Sequence, residues 1–365
     1  MNARFFGRLF AALTVFCTLF FSILPAHGAS TMPQVSAASS VLYAPEADVF
    51  LYEKAANERR FMASTTKIMT ALVALEHAHP ADTVTVHPSA VGVEGSSVYL
   101  SAGECVTMET LLYALMLQSA NDAAAAIAYE VGGSIEGFAA LMNEKARTLG
   151  LRDTHFENPH GLHEDTHYTT ARELAIIAAE AMKKPFFREL AKTKKKVITL
   201  ESGARTLINH NKLLFANGEV VGIKTGFTKK SGRCLVSAAE RDGVFLIAVT
   251  LHAPNDWRDH SALLDYGFET LECRTLKRAR EVSLSLPCKH GKKSYTVHLS
   301  NLMPLAVTQK RTDEPPSFRI SGTDDRKALE KLRVGEHFGM LEATDRNGRV
   351  LARVPLTAVS IERQT

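Results

Sequence analysis

Apolar residues recur at two different spacings along this chain of 365 residues, and the change from one to the other divides it. Alternation over Val41-Leu42-Tyr43 and Val49-Phe50-Leu51-Tyr52 predicts two early strands. Ile68, Met69, Ala71, Leu72, Val73 and Leu75 then fall at helical spacing, and helical patterns dominate to about residue 192. Within that stretch, Leu111-Leu112-Tyr113-Ala114-Leu115-Met116-Leu117-Gln118 reads as a helix, Ser119-Ala120-Asn121 as a polar break, and the run from Asp122 as a second helix. Strands return from Lys195. Val220-Val221-Gly222-Ile223, Cys234-Leu235-Val236-Ser237-Ala238-Ala239 and Val244-Phe245-Leu246-Ile247-Ala248-Val249 predict an antiparallel meander, with Arg241-Asp242-Gly243 as the last turn. A helix over 259–271 closes this part. From Glu281 the texture changes to short alternating runs, Val282-Leu284-Leu286, Tyr295-Val297-Leu299 and Phe318-Ile320, and Asn347-Gly348 is a hairpin signal. The chain therefore predicts an α/β (α+β) domain over 41–272, with antiparallel strands from both of its ends and helices between, and a small β-rich domain over 278–365.

The first forty residues read differently. Arg4 and Arg8 precede an apolar run over 9–24, and Ala26-His27-Gly28 places small residues where a signal peptidase needs them. A removable signal over 1–28, with a linker over 29–40, is the expectation; a membrane anchor is the alternative. Removing the signal takes two of the positive charges and lowers the net charge from +4 to +2. That is too little to argue for nucleic acid as a partner. Export makes disulfides chemically allowed, and Cys105, Cys234, Cys273 and Cys288 admit three pairings. Cys273 with Cys288 would staple the domain junction; free thiols, with Cys234 in the core, are the plainer reading.

The candidate chemistry lies in three short segments in fixed order: Ser64-Thr65-Thr66-Lys67, Ser119-Ala120-Asn121 and Lys224-Thr225-Gly226. Ser64 and Lys67 stand at i and i+3 of a predicted helix start, so the amine reaches the hydroxyl and backbone N–H groups are available to an oxyanion. A serine needs such a base, and a lysine serves only if burial or a nearby cation keeps it partly neutral. Gly226 removes a side chain where a substrate backbone can lie along the strand edge. Two lures are weaker. His155, His160, His163 and His167 crowd together, but their spacing matches neither HExxH nor a zinc finger, so a polar loop without metal is expected. Lys194-Lys195-Lys196 reads as a solvated basic segment.

Together the three motifs resemble those of the low-molecular-mass penicillin-binding proteins, the D-alanyl-D-alanine carboxypeptidases of the S11 serine peptidase family. Asn158-Pro159-His160-Gly161-Leu162, His167-Tyr168-Thr169-Thr170-Ala171-Arg172 and Asn209-His210-Asn211-Lys212-Leu213-Leu214 extend the likeness over roughly 38–270. The resemblance implies a penicillin-binding-protein/β-lactamase-like catalytic domain with no cofactor. It implies Ser64 as nucleophile, Lys67 as base, Ser119 as proton relay and Asn121 as holder of the substrate amide. Lys224, Thr225 and Arg258 would bind the substrate carboxylate, and the N–H groups of Ser64 and Phe227, beside Gly226, would form the oxyanion hole. The implied partners are a peptidoglycan stem peptide ending in D-Ala-D-Ala and β-lactams as covalent inhibitors. The chain departs from relatives in carrying Phe227 where several have histidine. It also ends in Ser360-Ile361-Glu362-Arg363-Gln364-Thr365 rather than in an amphipathic helix, which leaves membrane attachment open. Three alternatives stand beside a carboxypeptidase: an endopeptidase cutting cross-links, a non-catalytic wall-binding protein, and a β-lactamase. The last needs a deacylation base in an E-x-x-L-N segment, whereas Glu157 is followed by Asn158-Pro159-His160-Gly161-Leu162.

Overall fold

A computed structural model describes residues 31–290 and 293–363. The expected signal over 1–28, with Cys17, lies outside the described residues. From Pro33 onward the chain forms one unit. Strands β1 (Ser39–Ala44) and β2 (Val49–Lys54) pair antiparallel. A 3-10 turn, Ala63–Thr66, runs directly into α1 (Lys67–His77). The small ladder of β3 (Thr83–Thr85) and β4 (Cys105–Thr107) is followed by α2 (Met108–Tyr113), a π-helical turn Ala114–Gln118 and α3 (Asn121–Gly132). Helices α4 (Ile135–Thr148), α5 (Ala171–Met182) and α6 (Pro185–Lys192) complete the helical layer. The side chains of Thr107, Ser134 and Thr170 cap α2, α4 and α5 by accepting from the N–H groups of Thr110, Gly137 and Glu173.

A hairpin of β5 (Lys195–Leu200) and β6 (Gly203–Ile208) leads through the short α7 (Leu213–Ala216) to the meander β7 (Val220–Thr228), β8 (Gly232–Arg241) and β9 (Val244–Leu251), then to α8 (Asp256–Thr270). The central sheet has the order β2-β1-β9-β8-β7, so the first strands join the last through β1–β9 pairing, with Val41 opposite Val249. Alternating side chains feed two cores: Val41, Val236, Ile247 and Val249 face the α1–α6 layer, while Leu42, Leu235, Leu246 and Ala248 face Leu263, Leu264 and Phe268 of α8. This double covering explains why β9 reads as an unbroken apolar run. Strand β7 is left at the sheet edge.

Two boundaries differ from the sequence reading. The expected linker over 29–40 is held for part of its length, because Ser36 and Ala37 donate to the Asp259 carboxylate and β1 already begins at Ser39. Helix α8 starts at Asp256, three residues earlier than expected, because buried polar contacts of Asp256 and Asp259, invisible to apolar periodicity, fix its first turn.

The tail is β-rich, as its alternation predicts. Strands β10 (Leu271–Lys277), β11 (Ser283–His290), β12 (Lys293–Asn301), β13 (Leu305–Lys310), β14 (Ser317–Ser321), β15 (His337–Thr344) and β16 (Val350–Arg363) form a β10-β13 pair and a sheet of order β11-β12-β16-β15-β14. The turn containing Asn347-Gly348 joins β15 to β16. A short helix α9 (Arg326–Lys331), not anticipated, covers this core through Leu329. Cys105, Cys234, Cys273 and Cys288 are all free thiols, so no Cys273–Cys288 staple forms. Among the described residues no helix is long and apolar enough to cross a membrane.

Candidate active site

Ser64 sits on the 3-10 turn, one residue after Ala63 at φ 47°. The first hydrogen bond of the turn is Thr65 N–H to the Met62 carbonyl, 3.2 Å. The Ser64 N–H lies ahead of it, where a helical turn supplies no acceptor. Gly226 on β7 faces this turn: a Cβ there would stand 3.1 Å from Met62 O, Ser64 N and Thr65 N alike. The glycine therefore lets the strand approach the enzyme's own serine turn, a reason distinct from the space for substrate that the sequence suggested.

The Lys67 ammonium is fully buried and donates to Ser64 Oγ at 3.1 Å, Asn121 Oδ1 at 2.7 Å and the His160 carbonyl at 2.6 Å. Burial drives its pKa well below the usual lysine range; the Lys224 cation adds to the depression and the Asp122 carboxylate opposes it. Lys224 is also buried, bonded to the Thr225 carbonyl at 3.1 Å, and burial lowers it to about 7. Two cations share one dry pocket, and the neutral form of Lys67 is the one such a pocket favours. Asn121 spends both ends of its amide on the protein, accepting from Lys67 and donating to the Glu94 carbonyl, so in this state it orients the Lys67 amine. Ser119 is almost buried, held in the left-handed region at φ 60° where the π-helical turn ends.

The loop that carries Asn158-Pro159-His160-Gly161-Leu162 supports the pair. Asn158 Oδ1 accepts from the His160 and Gly161 N–H groups, and Thr70 Oγ1 donates to the Pro159 carbonyl at 2.6 Å. Gly161, at φ +84°, lies against the serine turn: a Cβ there would be 2.0 Å from Ala63 O. His167 Nδ1 accepts from Glu157 N–H, so its proton sits on Nε2 and is donated to Thr66 Oγ1 at 2.8 Å; Thr66 in turn donates to the Ala63 carbonyl. Burial, then the Lys67 charge and His167, lower His160 to about 3, and burial with neighbouring cations lowers His167 to about 3. Both rings are neutral. His155 turns to the Thr166 carbonyl and His163 to Asp165 and Lys230. Among the described residues no group of three or more metal-ligating side chains gathers.

The family model for D-alanyl-D-alanine carboxypeptidase, peptidase family S11, matches residues 26–255. The chain belongs to the S11 family of D-alanyl-D-alanine carboxypeptidases, which are serine hydrolases. It is 31% identical to the D-alanyl-D-alanine carboxypeptidase DacF of Bacillus subtilis, over 88% of this chain and 85% of that one. The solved structure of the Streptomyces K15 DD-transpeptidase is 35% identical, with a TM-score of 0.62 over 65% of this chain and 99% of that one. Penicillin-binding protein 5 of Haemophilus influenzae is 27% identical, with a TM-score of 0.66 over 92% of this chain and 99% of that one, a span that includes most of the β-rich tail.

The remaining residues of this S11 chain are less uniform in their placement. Thr225 is half-buried on β7, and Phe227 next to Gly226 is 66% exposed at the rim. Arg258 is exposed in the first turn of α8 and makes no hydrogen bond or ion pair among the described residues, unlike Arg233, which pairs with Asp256. Glu157 is engaged by Thr166 Oγ1 and His155. Of the basic run, Lys196 pairs with Glu109 and lies over the Tyr113 ring.

Proposed function

We propose that this chain is a serine-type D-Ala-D-Ala carboxypeptidase that removes the terminal D-alanine from peptidoglycan stem pentapeptides through an acyl-enzyme on Ser64. One observation carries the reading: a fully buried Lys67 amine, 3.1 Å from Ser64 Oγ, has its charged form disfavoured by burial and by a second buried lysine. Such an amine takes the Ser64 proton as Oγ attacks the carbonyl between the last two D-alanines. The developing oxyanion is met by the Ser64 and Phe227 N–H groups, which the closeness of Gly226 to the serine turn sets near one another. Ser119 passes a proton to the departing amine, Asn121 keeps Lys67 aimed, and Lys224 with Thr225 holds the terminal carboxylate; Arg258 serves as an outer contact for it. Water then attacks the ester, and Ser64 recovers its proton. The free edge of β7 supports an extended peptide as substrate, since an edge strand offers unpaired backbone groups.

The same reading places the enzyme outside the cytoplasm, exported by the segment ending at Gly28, with a catalytic domain over 41–272 and a separate β-domain over 278–365. β-Lactams acylate Ser64 and leave slowly, because the chain has no E-x-x-L-N segment to supply a deacylation base and Glu157 is engaged by Thr166 and His155. The test is intact mass with penicillin, followed by D-alanine release from a pentapeptide. A single adduct that is absent in Ser64→Ala and outlasts peptide turnover is expected. Labelling that persists in Ser64→Ala, or an adduct lost as fast as peptide turns over, overturns the assignment.

A further inference from the structure

Tyr99 is anomalous in three ways at once. It is a large aromatic residue 69% exposed, it is held in the left-handed region at φ 58°, and it stands on the loop that is bonded to Asn121. Asn121 donates its side-chain amide to the Glu94 carbonyl and its backbone N–H to the Ser96 carbonyl. Asp122, buried next to Asn121, holds the loop on both sides of the tyrosine. Its carboxylate accepts from Ser97 Oγ at 2.6 Å, from Val98 N–H at 3.2 Å and from Leu100 N–H at 3.1 Å. A strained backbone persists only where its surroundings over-determine it. Here a buried carboxylate holds Val98 and Leu100 in the core and, between them, turns Tyr99 outward.

Beside the ring stands an arginine that pairs with no carboxylate among the described residues. The Arg205 guanidinium lies 5.3 Å from the Tyr99 centroid, and its Nε is buried with no hydrogen bond. Its remaining contact is a long one, 3.3 Å to Ser202 Oγ, and it makes no ion pair among the described residues. Arginines with a carboxylate in reach ordinarily use it, as Arg233, Arg241 and Arg319 do in this protein. The hairpin carrying Arg205 is fixed to the same loop, since Glu201 N–H donates to the buried Glu104 carboxylate at 2.6 Å. Ring and guanidinium therefore stand on segments that are tied to each other.

We infer that Tyr99 and Arg205 form a docking point for a carboxylate borne by the substrate peptide upstream of its scissile bond. An unpaired guanidinium accepts a carboxylate in two-pronged geometry, and the exposed ring supplies an apolar face for the chain that bears it. The place suits a second carboxylate, because Lys224 and Thr225 on the β7 wall already serve the terminal one. Tyr99 is three residues beyond Ser96, so at most about 11 Å of chain separates it from the Asn121 contact, the reach of roughly three extended peptide residues. The inference rests on the carboxypeptidase reading and names the part of the substrate that lends it specificity.

The experiment compares D-alanine release from two pentapeptides, one with free upstream carboxylates and one with the same groups amidated. Arg205→Gln is expected to lower the preference for the acidic peptide, as a ratio of kcat/KM values, about 10-fold, the scale of a half-buried charge-assisted hydrogen bond. Arg205→Lys restores part of it. Tyr99→Gly, which releases the backbone strain, lowers the preference while keeping or raising the melting temperature. An unchanged ratio in Arg205→Gln, or equal losses on both peptides accompanied by a lower melting temperature, overturns the inference. Should the wild type release D-alanine from neither peptide, it is the carboxypeptidase reading that falls. The docking point is then decided by acylation rates with a penicillin carrying a side-chain carboxylate against a neutral one, where Arg205→Gln must narrow the difference for the inference to stand.

Discussion

Replacing Gly161 with alanine tests whether the 158–161 loop holds the catalytic pair in place. The new Cβ would lie 2.0 Å from Ala63 O, 2.5 Å from Ala63 C and 2.9 Å from Thr66 Oγ1. A carbon and a carbonyl oxygen ordinarily approach no closer than about 3.3 Å, so loop and serine turn must separate by about 1.3 Å. The same loop supplies the His160 carbonyl that accepts from Lys67 at 2.6 Å. Taken up on that side, the displacement stretches this contact to about 3.9 Å, which is no longer a hydrogen bond. Misplacement of reacting groups by about 1 Å costs on the order of 100-fold in rate. The left-handed backbone at φ +84° adds about 1–2 kcal/mol of destabilisation for any residue with a Cβ. Gly150→Ala separates the two effects, because Gly150 has φ +75° but nothing within 4 Å of its would-be Cβ. The assay is the second-order rate of acylation by a fluorescent penicillin, with a thermal melt for each variant. Gly161→Ala is expected to melt lower than Gly150→Ala and to acylate about 100-fold more slowly than wild type, while Gly150→Ala loses stability alone. A Gly161→Ala enzyme that acylates within threefold of wild type refutes the buttressing role.

The pH dependence has a definite sign on each side. In the proposed mechanism Lys67 must be neutral to act as base, so acylation falls as pH drops through its depressed pKa; Lys224 must be charged to hold a carboxylate, so acylation falls again as pH rises above about 7. Lys224→Arg, charged at every accessible pH, is expected to erase the alkaline limb of kcat/KM, and a limb that survives the substitution assigns it to another group. His260 is buried beside Thr250 with its pKa lowered to about 3, whereas the unfolded imidazole titrates near about 6.5. Between these values the unfolded chain binds more protons, so stability falls as pH drops through that window. The melting temperature of His260→Gln should fall less steeply than that of wild type from pH 7 to 4.5, and parallel slopes would show that His260 carries none of this linkage.

Legibility in the sequence followed the range of the interaction. The i, i+3 spacing of Ser64 and Lys67, the apolar period after Ile68 and the alternation over 234–249 concern residues close in the chain, and each determined its local structure. The tail strands and the turn at Asn347-Gly348 were readable for the same reason, while α9 was missed because one apolar residue, Leu329, faces its core. By contrast, Gly226 has its neighbours at residues 62–65, and Asn121 takes both of its side-chain partners from elsewhere in the chain. Arg205 carries no signal in the sequence, since an arginine stands out only where the fold leaves it without a carboxylate.

The sequence by itself determined that two serine hydroxyls, two amines and an amide are present in fixed order, on elements of predictable type, and it determined the two textures that became the catalytic fold and the β-rich tail. Only the tertiary structure decided what those groups are chemically. Pairing of β1 with β9 closes the sheet, β7 becomes its edge against the serine turn, and the helical layer shuts water away from Lys67 and Lys224. A lysine is a base or a cation according to its solvation, and solvation is set by everything that packs around it, not by its neighbours in the chain.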